Sequence, residues 1–259
     1  MNYKVSVVTP SWNSEKYIED TLSSVQEQTY PNIEHIIVDN VSMDKTREIC
    51  GKYDVTFISK KDHSMYEALN TGIQMATGEL ICFLNSDDLY ADKHVIEDVV
   101  KFFNDNPNID FAYGKCVMVD DKLKQIYTHK PIKFNFKSAL RRLFVVSHPS
   151  TIFKKDLFTK YGLYDTQFRA MSDCDFVLRL CKNESVKHGY IDRNIALFRR
   201  HDANLSSSSK IQKEQWTLSK KFGKDFNLIQ NRLFIIKDNI CNVGYLSFLL
   251  KKYVLAWLK

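Results

Sequence analysis

The first hundred residues alternate short apolar runs, rich in β-branched residues, with segments of helical periodicity. Four runs have the composition of buried strands: residues 5–9, 33–38, 55–58 and 80–84. A helix is predicted after each of them. The first begins at an Asn13 or Ser14 cap and carries Ile18, Leu22 and Val25 on its inner face. The others are predicted at 44–52, at 66–76 with Gly78 as the C-terminal cap, and at 93–104. This repeat predicts an α/β fold whose mostly parallel sheet is flanked by helices on both faces.

The second half of the chain is less regular. Strands are predicted near 110–119, 123–128, 186–191 and 194–199, and helices at 155–161, 173–182 and 209–222. No low-complexity linker or internal repeat interrupts the chain, so we expect one domain with two lobes. Its predicted halves are residues 1–105 and 106–225, and 226–259 form a separate tail.

Composition excludes several classes of protein. Of the 259 residues, 44% are apolar, which is too many for a disordered chain. The net charge of +6 is spread along the chain without a concentrated basic stripe before the tail, so a nucleic-acid partner is not expected. The oligomeric state is not indicated by the sequence.

Cysteine spacing and hydropathy indicate the compartment. None of the six cysteines has CxxC spacing, and the N-terminus lacks a signal-peptide pattern, so we expect reduced thiols in a cytoplasmic protein. No run reaches the roughly 18 apolar residues that a membrane-spanning helix needs.

Small polar side chains follow each of the four predicted strands. The segments are Pro10-Ser11-Trp12-Asn13, Asp39-Asn40, Lys60-Lys61-Asp62-His63 and Asn85-Ser86-Asp87-Asp88. Because open parallel sheets bind ligands beyond the carboxyl ends of their strands, these segments predict a binding rim with four carboxylates. Two adjacent carboxylates after an apolar strand, Asp87 and Asp88, favour a cation.

Glycine-rich phosphate-binding motifs are absent from the sequence. The chain contains no GxG at all, and therefore neither a dinucleotide-binding fingerprint nor a P-loop. If the rim binds phosphates, a metal has to hold them, and Mg²⁺ or Mn²⁺ on paired aspartates bridges a diphosphate in this way.

Five blocks, in order over roughly residues 4–200, resemble the family 2 glycosyltransferases of GT-A fold, in particular the bacterial capsule and O-antigen enzymes. The blocks are residues 7–31 (VVTPSWN, YI, TLSSV and QTYP), 36–46 (IIVDNVSMDKT, similar to the family's DGxSxDGT segment), 66–79 (YEALNTGI and ATGE), 84–88 (LNSDD, similar to a DxD motif) and 172–180 (SDCD and LRL). The resemblance implies a GT-A fold with a nucleotide-binding first half and an acceptor-binding second half.

The same resemblance implies a reaction. We expect an inverting, metal-dependent glycosyltransferase that moves a sugar from a nucleotide-sugar donor, a UDP-sugar, to a saccharide hydroxyl. The acceptor is expected to be a lipid-linked oligosaccharide in surface polysaccharide synthesis, and the cofactor Mn²⁺ or Mg²⁺.

Residue roles follow from the matched positions. Asp173 is the expected catalytic base, a role that a partly buried carboxylate suits. The expected nucleotide-binding residues are Thr9, Pro10, Ser11, Asn13, Asp39, Asp62, Asn70 and Asp87. Asp88 and His201 are the expected metal ligands, and His148, Asn85 and Arg199 are expected near the donor or acceptor sugar. Plainer interpretations exist: Asp39 as a turn residue, and Asp173 as a helix N-cap.

The C-terminal tail has its own pattern. Residues 245–259 are apolar, basic and aromatic, too short and too charged to span a bilayer. They suit the headgroup plane of a membrane, so we expect a peripheral protein on the cytoplasmic face of the bacterial inner membrane, although a terminal helix packed on the domain fits the same pattern.

Two other functions fit part of the sequence. A sugar-nucleotide nucleotidyltransferase would need a glycine-rich basic loop where residues 10–13 stand. A non-catalytic sugar-nucleotide-binding protein would be expected to lack Asp88 or Asp173, and both are present.

Overall fold

A computed structural model describes residues 2–131, 135–142, 146–201, 204 and 210–223. Its strands are β1 (Val5–Ser11), β2 (Ile33–Asp39), β3 (Thr56–Ser59), β4 (Leu80–Phe83), β5 (Leu89–Tyr90), β6 (Phe111–Val119), β7 (Gln125–His129), β8 (Thr151–Lys154) and β9 (His188–Arg199). Its helices are α1 (Ile18–Gln26), α2 (Thr46–Cys50), α3 (Met65–Met75), α4 (Val95–Asp105), α5 (Phe136–Arg142), α6 (Asp156–Tyr161), α7 (Ser172–Cys181) and α8 (Lys210–Lys221). The tail 226–259 lies outside the described residues.

One mixed sheet with the order β3-β2-β1-β4-β8-β6-β9-β5 organises the described part of the chain, and β7 pairs with β6. β1 to β4 run parallel to their neighbours among themselves, as the alternating pattern predicts. β8 is antiparallel to both β4 and β6, and β6 is parallel to β9. The α/β fold is therefore confirmed, with the antiparallel strand β8 joining the regular half to the less regular half.

The two faces of the sheet are buried under different helices. Successive residues of β1 point to opposite faces, so Val7 and Val8 enter separate apolar clusters. Val8 packs with Leu69 of α3 and Phe176 of α7, whereas Val7 packs with Val99 of α4. Burial on both faces explains why the strands are nearly continuous apolar runs.

Three elements were not predicted from the sequence: β5, α5 and β8. They span two, seven and four residues, too short for a periodic pattern to distinguish them from loops. The two runs predicted at 186–191 and 194–199 form the single strand β9, with a register shift opposite Gly114 and Lys115.

Two predicted helix caps are wrong. α1 begins after Tyr17, because Asn13 and Ser14 form the preceding loop. Gly78 does not cap α3; a Cβ at this position would lie 2.6 Å from the backbone oxygen of Lys4, so glycine allows the loop to approach β1.

None of the described helices is long and apolar enough to cross a membrane.

Candidate active site

Three strand ends place their polar residues side by side. Ser11 and Ser59 are the register partners of Asp39 on β1 and β3. The Asp39 carboxylate is 1% exposed, and its oxygens accept hydrogen bonds from Ser11 Oγ at 3.0 Å and Ser59 Oγ at 3.2 Å. Ser42 donates to it through both its N–H and its hydroxyl, at 2.9 and 2.5 Å. Asp39 thus stands at the predicted rim as an acceptor surrounded by hydroxyl groups that can rotate.

Thr9, at the same strand end as Ser11, turns its side chain into the core. Its side chain is fully buried, and Oγ1 lies 2.9 Å from Nε2 of His35 on β2. Burial lowers the pKa of His35 to about 3, so this imidazole is neutral near pH 7. The hydroxyl of Thr9 is thus engaged within the core, and the neighbouring Pro10 is buried as well. The roles of Thr9 and Pro10 at a nucleotide stay predictions.

Two loops at this rim are held in conformations that non-glycine residues rarely adopt. Asn13 and Val41 have φ angles of 48° and 52°. Asn13 N–H donates to Ser42 Oγ at 2.8 Å, and its side-chain oxygen accepts from Met43 N–H at 3.0 Å. Asn13 therefore connects the β1–α1 loop to the β2–α2 loop. Trp12, in the first of these loops, is 66% exposed.

Asp62 and Asn70 have contrasting environments. Asp62 is 7% exposed, its Oδ2 is buried without a hydrogen-bond partner, and burial raises its pKa. An orphaned buried acceptor suits a ligand donor. Asn70 instead donates to the Tyr164 carbonyl at 2.9 Å and accepts from Tyr164 N–H at 3.0 Å. The amide of Asn70 therefore joins α3 to the chain after α6, and its expected nucleotide contact stays a prediction.

The two carboxylates after β4 point in different directions. Asp88 is fully buried and accepts from Asn85 Nδ2 at 2.9 Å and from Arg199 N–H at 3.0 Å. Burial, and then the charge of Asp87, raise its pKa well above the usual value. Asp87 is partly exposed, and its Oδ2 lies 2.8 Å from His201 Nε2 and 3.2 Å from Asn204 Nδ2. Asp87, rather than Asp88, is thus the carboxylate that meets His201.

Arg199 lies beneath this turn and not in an open sugar site. It is 2% exposed, and its guanidinium donates to the carbonyls of Asp87 and Asp121 and to the Asp20 carboxylate at 2.6 Å. The donors of Arg199 are thus engaged in holding the turn, and its expected contact with a sugar stays a prediction. Tyr17 covers both groups: its ring stacks on His201 and lies 4.4 Å from the Arg199 guanidinium.

Asp173 lies in the first turn of α7, beside a small apolar pocket. Tyr66 of α3 donates its hydroxyl to Asp173 Oδ1 at 2.9 Å. The pocket is lined by Asp173 and His148 together with apolar side chains of α5, α7 and β8. His148 Nε2 lies 2.9 Å from the Tyr164 hydroxyl, and its ring stacks on Phe83 at 4.7 Å. Burial lowers the pKa of His148, which keeps it neutral near pH 7.

The residues that could hold a divalent cation are Asp87 and His201. Among the described residues no three acidic, histidine or cysteine side chains gather in one metal-binding group. A carboxylate oxygen and an imidazole nitrogen in contact are nevertheless a suitable donor pair for Mn²⁺, and Mg²⁺ sites commonly use one or two carboxylates and complete the shell with substrate phosphates and water. The donor set therefore fits a cation shared with a diphosphate. Both oxygens of the Asp88 carboxylate already accept hydrogen bonds, from Asn85 Nδ2 and Arg199 N–H, and Asp88 as a metal ligand stays a prediction.

Sequence reasoning missed Tyr66, Trp12 and Tyr17 as site residues. The apolar periodicity of the predicted helix 66–76 indicates that Tyr66 is a core residue. Only the packing of α3 against α7 brings its hydroxyl to Asp173. Trp12 had a usable signal, since a large aromatic residue directly follows a strand end. Tyr17 had none, because its partners His201 and Arg199 are distant in sequence.

Fold and site define an α/β protein that gathers carboxylates at the carboxyl ends of its parallel strands, which is where open α/β sheets bind their ligands. Residues 6–162 match the family model described as glycosyl transferase family 2. The chain belongs to this family and is a transferase.

Sequence relatives share this assignment. An uncharacterised glycosyltransferase of Rickettsia typhi is 30% identical over 222 residues, which cover 82% of this chain and 69% of the relative. TuaG of Bacillus subtilis, a putative teichuronic acid biosynthesis glycosyltransferase, is 28% identical over 257 residues, 96% of each chain.

Solved structures share the fold. The S. aureus TarS fragment 1–349 in complex with UDP-GlcNAc superimposes with a TM-score of 0.69 at 20% identity, over 88% of this chain and 69% of that one. The mannosyltransferase PcManGT of Pyrobaculum calidifontis, in complex with GDP-Man and Mn²⁺, gives a TM-score of 0.62 at 17% identity, over 87% and 65% of the two chains. The GT-A fold predicted from the sequence is confirmed.

Proposed function

We propose that this protein transfers a sugar, with inversion, from a UDP-sugar to a saccharide hydroxyl in a metal-dependent reaction. The observation that carries the proposal is that residues at the end of β4 and in the turn after it contact both candidate sites. Phe83 at the end of β4 stacks on His148, which shares the apolar pocket with Asp173, and the turn that follows Phe83 presents Asp87 to His201. One strand end thus connects a candidate base to a candidate diphosphate site.

The nucleoside is expected at the ends of β1, β2 and β3. Asp39 supplies an acceptor for a base N–H, with Ser11 beside it, and the unpartnered Oδ2 of Asp62 supplies an acceptor for a base or ribose donor. The exposed Trp12 ring is available to stack on a base. Asn85 Oδ1, also buried without a partner, suits a ribose hydroxyl.

The diphosphate is expected beside Asp87 and His201, which would hold Mn²⁺ or Mg²⁺. When bound, the cation offsets the negative charge that develops on the diphosphate leaving group. The chain's own contribution is to fix the two ligands: Arg199 holds the backbone of the turn, and Tyr17 stacks on the His201 ring.

Asp173 is proposed to accept the proton of the acceptor hydroxyl. As the hydroxyl oxygen forms its bond to the anomeric carbon, the bond from that carbon to the phosphate oxygen breaks and the nucleoside diphosphate leaves. Tyr66 donates to Oδ1 of Asp173 and so orients the carboxylate, and Oδ2 is the oxygen proposed to receive the proton. His148, neutral and held by Tyr164, is placed to contact one of the two sugars.

The acceptor is proposed to be a saccharide on a lipid carrier, at the cytoplasmic face of a bacterial membrane. Support comes from the basic, aromatic tail and from the relative whose printed name refers to teichuronic acid biosynthesis. Family membership favours transfer over the nucleotidyltransferase and the non-catalytic alternatives.

The test measures nucleotide release from a panel of sugar nucleotides, with and without Mn²⁺, in the presence of a lipid-pyrophosphate-sugar acceptor mimic. We expect release from one UDP-sugar that depends on the metal and is lost in Asp87→Ala. Release that does not need the metal would contradict the metal dependence. Release from a sugar nucleotide with a different base would contradict the UDP-sugar donor.

A further inference from the structure

Helix α8 contacts the segment that leads into the helix carrying Asp173. Glu214 on α8 accepts two backbone hydrogen bonds, from Arg169 N–H and Ala170 N–H, each at 2.9 Å and each to a different carboxylate oxygen. These N–H groups lie directly before α7, which begins at Ser172. A charged acceptor on two consecutive N–H groups is a strong constraint on the backbone.

A second contact joins the end of α8 to the interior of α7. Lys221 Nζ lies 2.7 Å from Asp175 Oδ1 and 2.8 Å from Asp165 Oδ2. Asp175 is fully buried, and its other oxygen accepts from Arg179 Nε at 2.9 Å. A buried carboxylate is tolerated when it is paired, so Lys221 supplies one of two cations that Asp175 requires.

Arg179 extends this network to the chain before α7. Its guanidinium donates to the carbonyl groups of Tyr161, Gly162 and Leu163, the last at 2.7 Å. The end of α6, the following loop, α7 and α8 are therefore connected around Asp175. Asp173 stands two residues earlier, in the same first turn of α7.

We infer that Glu214 and Lys221 are positioning residues for the Asp173 carboxylate. Tyr66 fixes the carboxylate itself from α3, while α8 fixes the backbone of the turn that carries it. Neither Glu214 nor Lys221 belongs to the strand ends where the nucleotide is expected. The inference rests on the transfer reaction proposed above, with Asp173 as the base.

The test compares Lys221→Met and Glu214→Gln with wild-type protein. Lys221→Met removes one cation from buried Asp175, and Glu214→Gln replaces one of two carboxylate oxygens by a donor. Because displacement of a catalytic group by about 1 Å can cost 10²-fold, we expect kcat to fall roughly 10- to 100-fold in each variant. The donor KM and the UDP affinity measured by calorimetry should stay within about twofold, since the donor site is built from other elements.

Two controls make the comparison specific. Lys221→Arg keeps a cation near Asp175 and should recover most of the lost kcat. Lys213→Met removes an exposed lysine from the same helix and should leave kcat unchanged. Thermal unfolding of every variant measures the folded fraction at the assay temperature.

Hydrogen exchange of residues 168–178 gives a readout independent of turnover. We expect faster exchange there in Lys221→Met and Glu214→Gln, and not in Lys213→Met. Unchanged exchange, an unchanged kcat, or a loss of kcat that only follows loss of folded protein would overturn the positioning role. Absence of transfer by the wild-type protein, with the exchange result as expected, would instead count against the proposed function.

Discussion

At the scale of single residues, the site is decided by where adjacent side chains point. Asp87 and Asp88 are neighbours in sequence, yet one meets His201 at 2.8 Å and the other is buried against Asn85 and the backbone of Arg199. Identical side chains therefore have separate tasks: Asp87 belongs to the proposed cation site, and Asp88 stabilises the turn that presents it.

This difference predicts distinct effects of two substitutions. Asp88→Ala leaves a partly buried amide and a buried backbone N–H without their acceptor, so we expect a loss of about 1–3 kcal/mol in the free energy of unfolding. Asp87→Ala should change stability by less than about 1 kcal/mol and abolish Mn²⁺-dependent turnover. Denaturant unfolding and metal titration of activity measure the two effects, and equal destabilisation by both variants would contradict the assignment.

Asp173 provides a second prediction at this scale. Asp173→Asn keeps the shape of the side chain and removes its ability to accept a proton. Loss of a general base typically costs 10²–10⁴-fold, so we expect kcat to fall by about that factor while UDP affinity stays unchanged. Asp156→Asn, at an exposed position in the first turn of α6, is the matched control for a change of charge. Wild-type turnover by Asp173→Asn would remove Asp173 from the mechanism.

At the scale of elements, one partly buried carboxylate joins the loop before β4 to β1 and β2. Glu34 of β2 accepts from Ser6 Oγ at 2.5 Å, from Thr77 N–H at 2.6 Å and from Gly78 N–H at 3.1 Å, and Lys4 Nζ lies 2.9 Å away. Burial alone would raise the pKa of Glu34, but the hydrogen bonds outweigh it and lower the pKa to about 2.

The depressed pKa of Glu34 predicts a direction for acid sensitivity. The ionised carboxylate stabilises the folded state fully above its ordinary pKa of 4.5, and this contribution is lost as the pH falls from there towards 2. We expect Glu34→Gln to unfold more easily at pH 7, by about 1–3 kcal/mol, and to lose less stability than wild type between pH 5 and pH 3. Urea unfolding across this range measures both effects, and parallel pH curves for the two proteins would refute the account.

At the scale of the whole molecule, the strand order brings together residues that are distant in the chain. β8 lies between β4 and β6, and β9 lies beside β6. His148, shortly before β8, therefore stacks on Phe83 at the end of β4, and His201, shortly after β9, meets Asp87 in the turn that follows β4. The acceptor proposed for this site is lipid-linked, which requires the protein to reach a membrane surface.

The proposed membrane contact can be measured on the full chain. We expect co-sedimentation with vesicles that contain anionic lipid and much less with zwitterionic vesicles, because lysines of the tail are attracted by about 1 kcal/mol each near an anionic surface. Binding should weaken at high salt and in the double variant Lys251→Glu, Lys252→Glu, whereas Lys101→Glu on α4 is the matched control. Equal binding to both kinds of vesicle, or none, would contradict a charged membrane contact.

Most strands and helices could be predicted because their patterns are local. β1 to β4 and the helices between them follow from apolar runs and from i, i+4, i+7 spacing, and Asp39, Asp62 and Asp87 stand at the rim that these elements predict. The surroundings of a side chain could not be predicted where its direction depends on distant packing. Thr9 turns towards His35, Asn70 binds the backbone of Tyr164, and Arg199 holds a turn from below.

The sequence by itself determined the family, the α/β fold and the position of the binding rim, because each depends on residue order along single strands and helices. Tertiary structure alone decided which carboxylate of the Asp87–Asp88 pair meets His201, that Tyr66 orients Asp173, and that α8 supports α7. The physical reason is that burial and hydrogen bonding act between elements far apart in the chain, and no local pattern records which of two neighbouring side chains the packing will enclose.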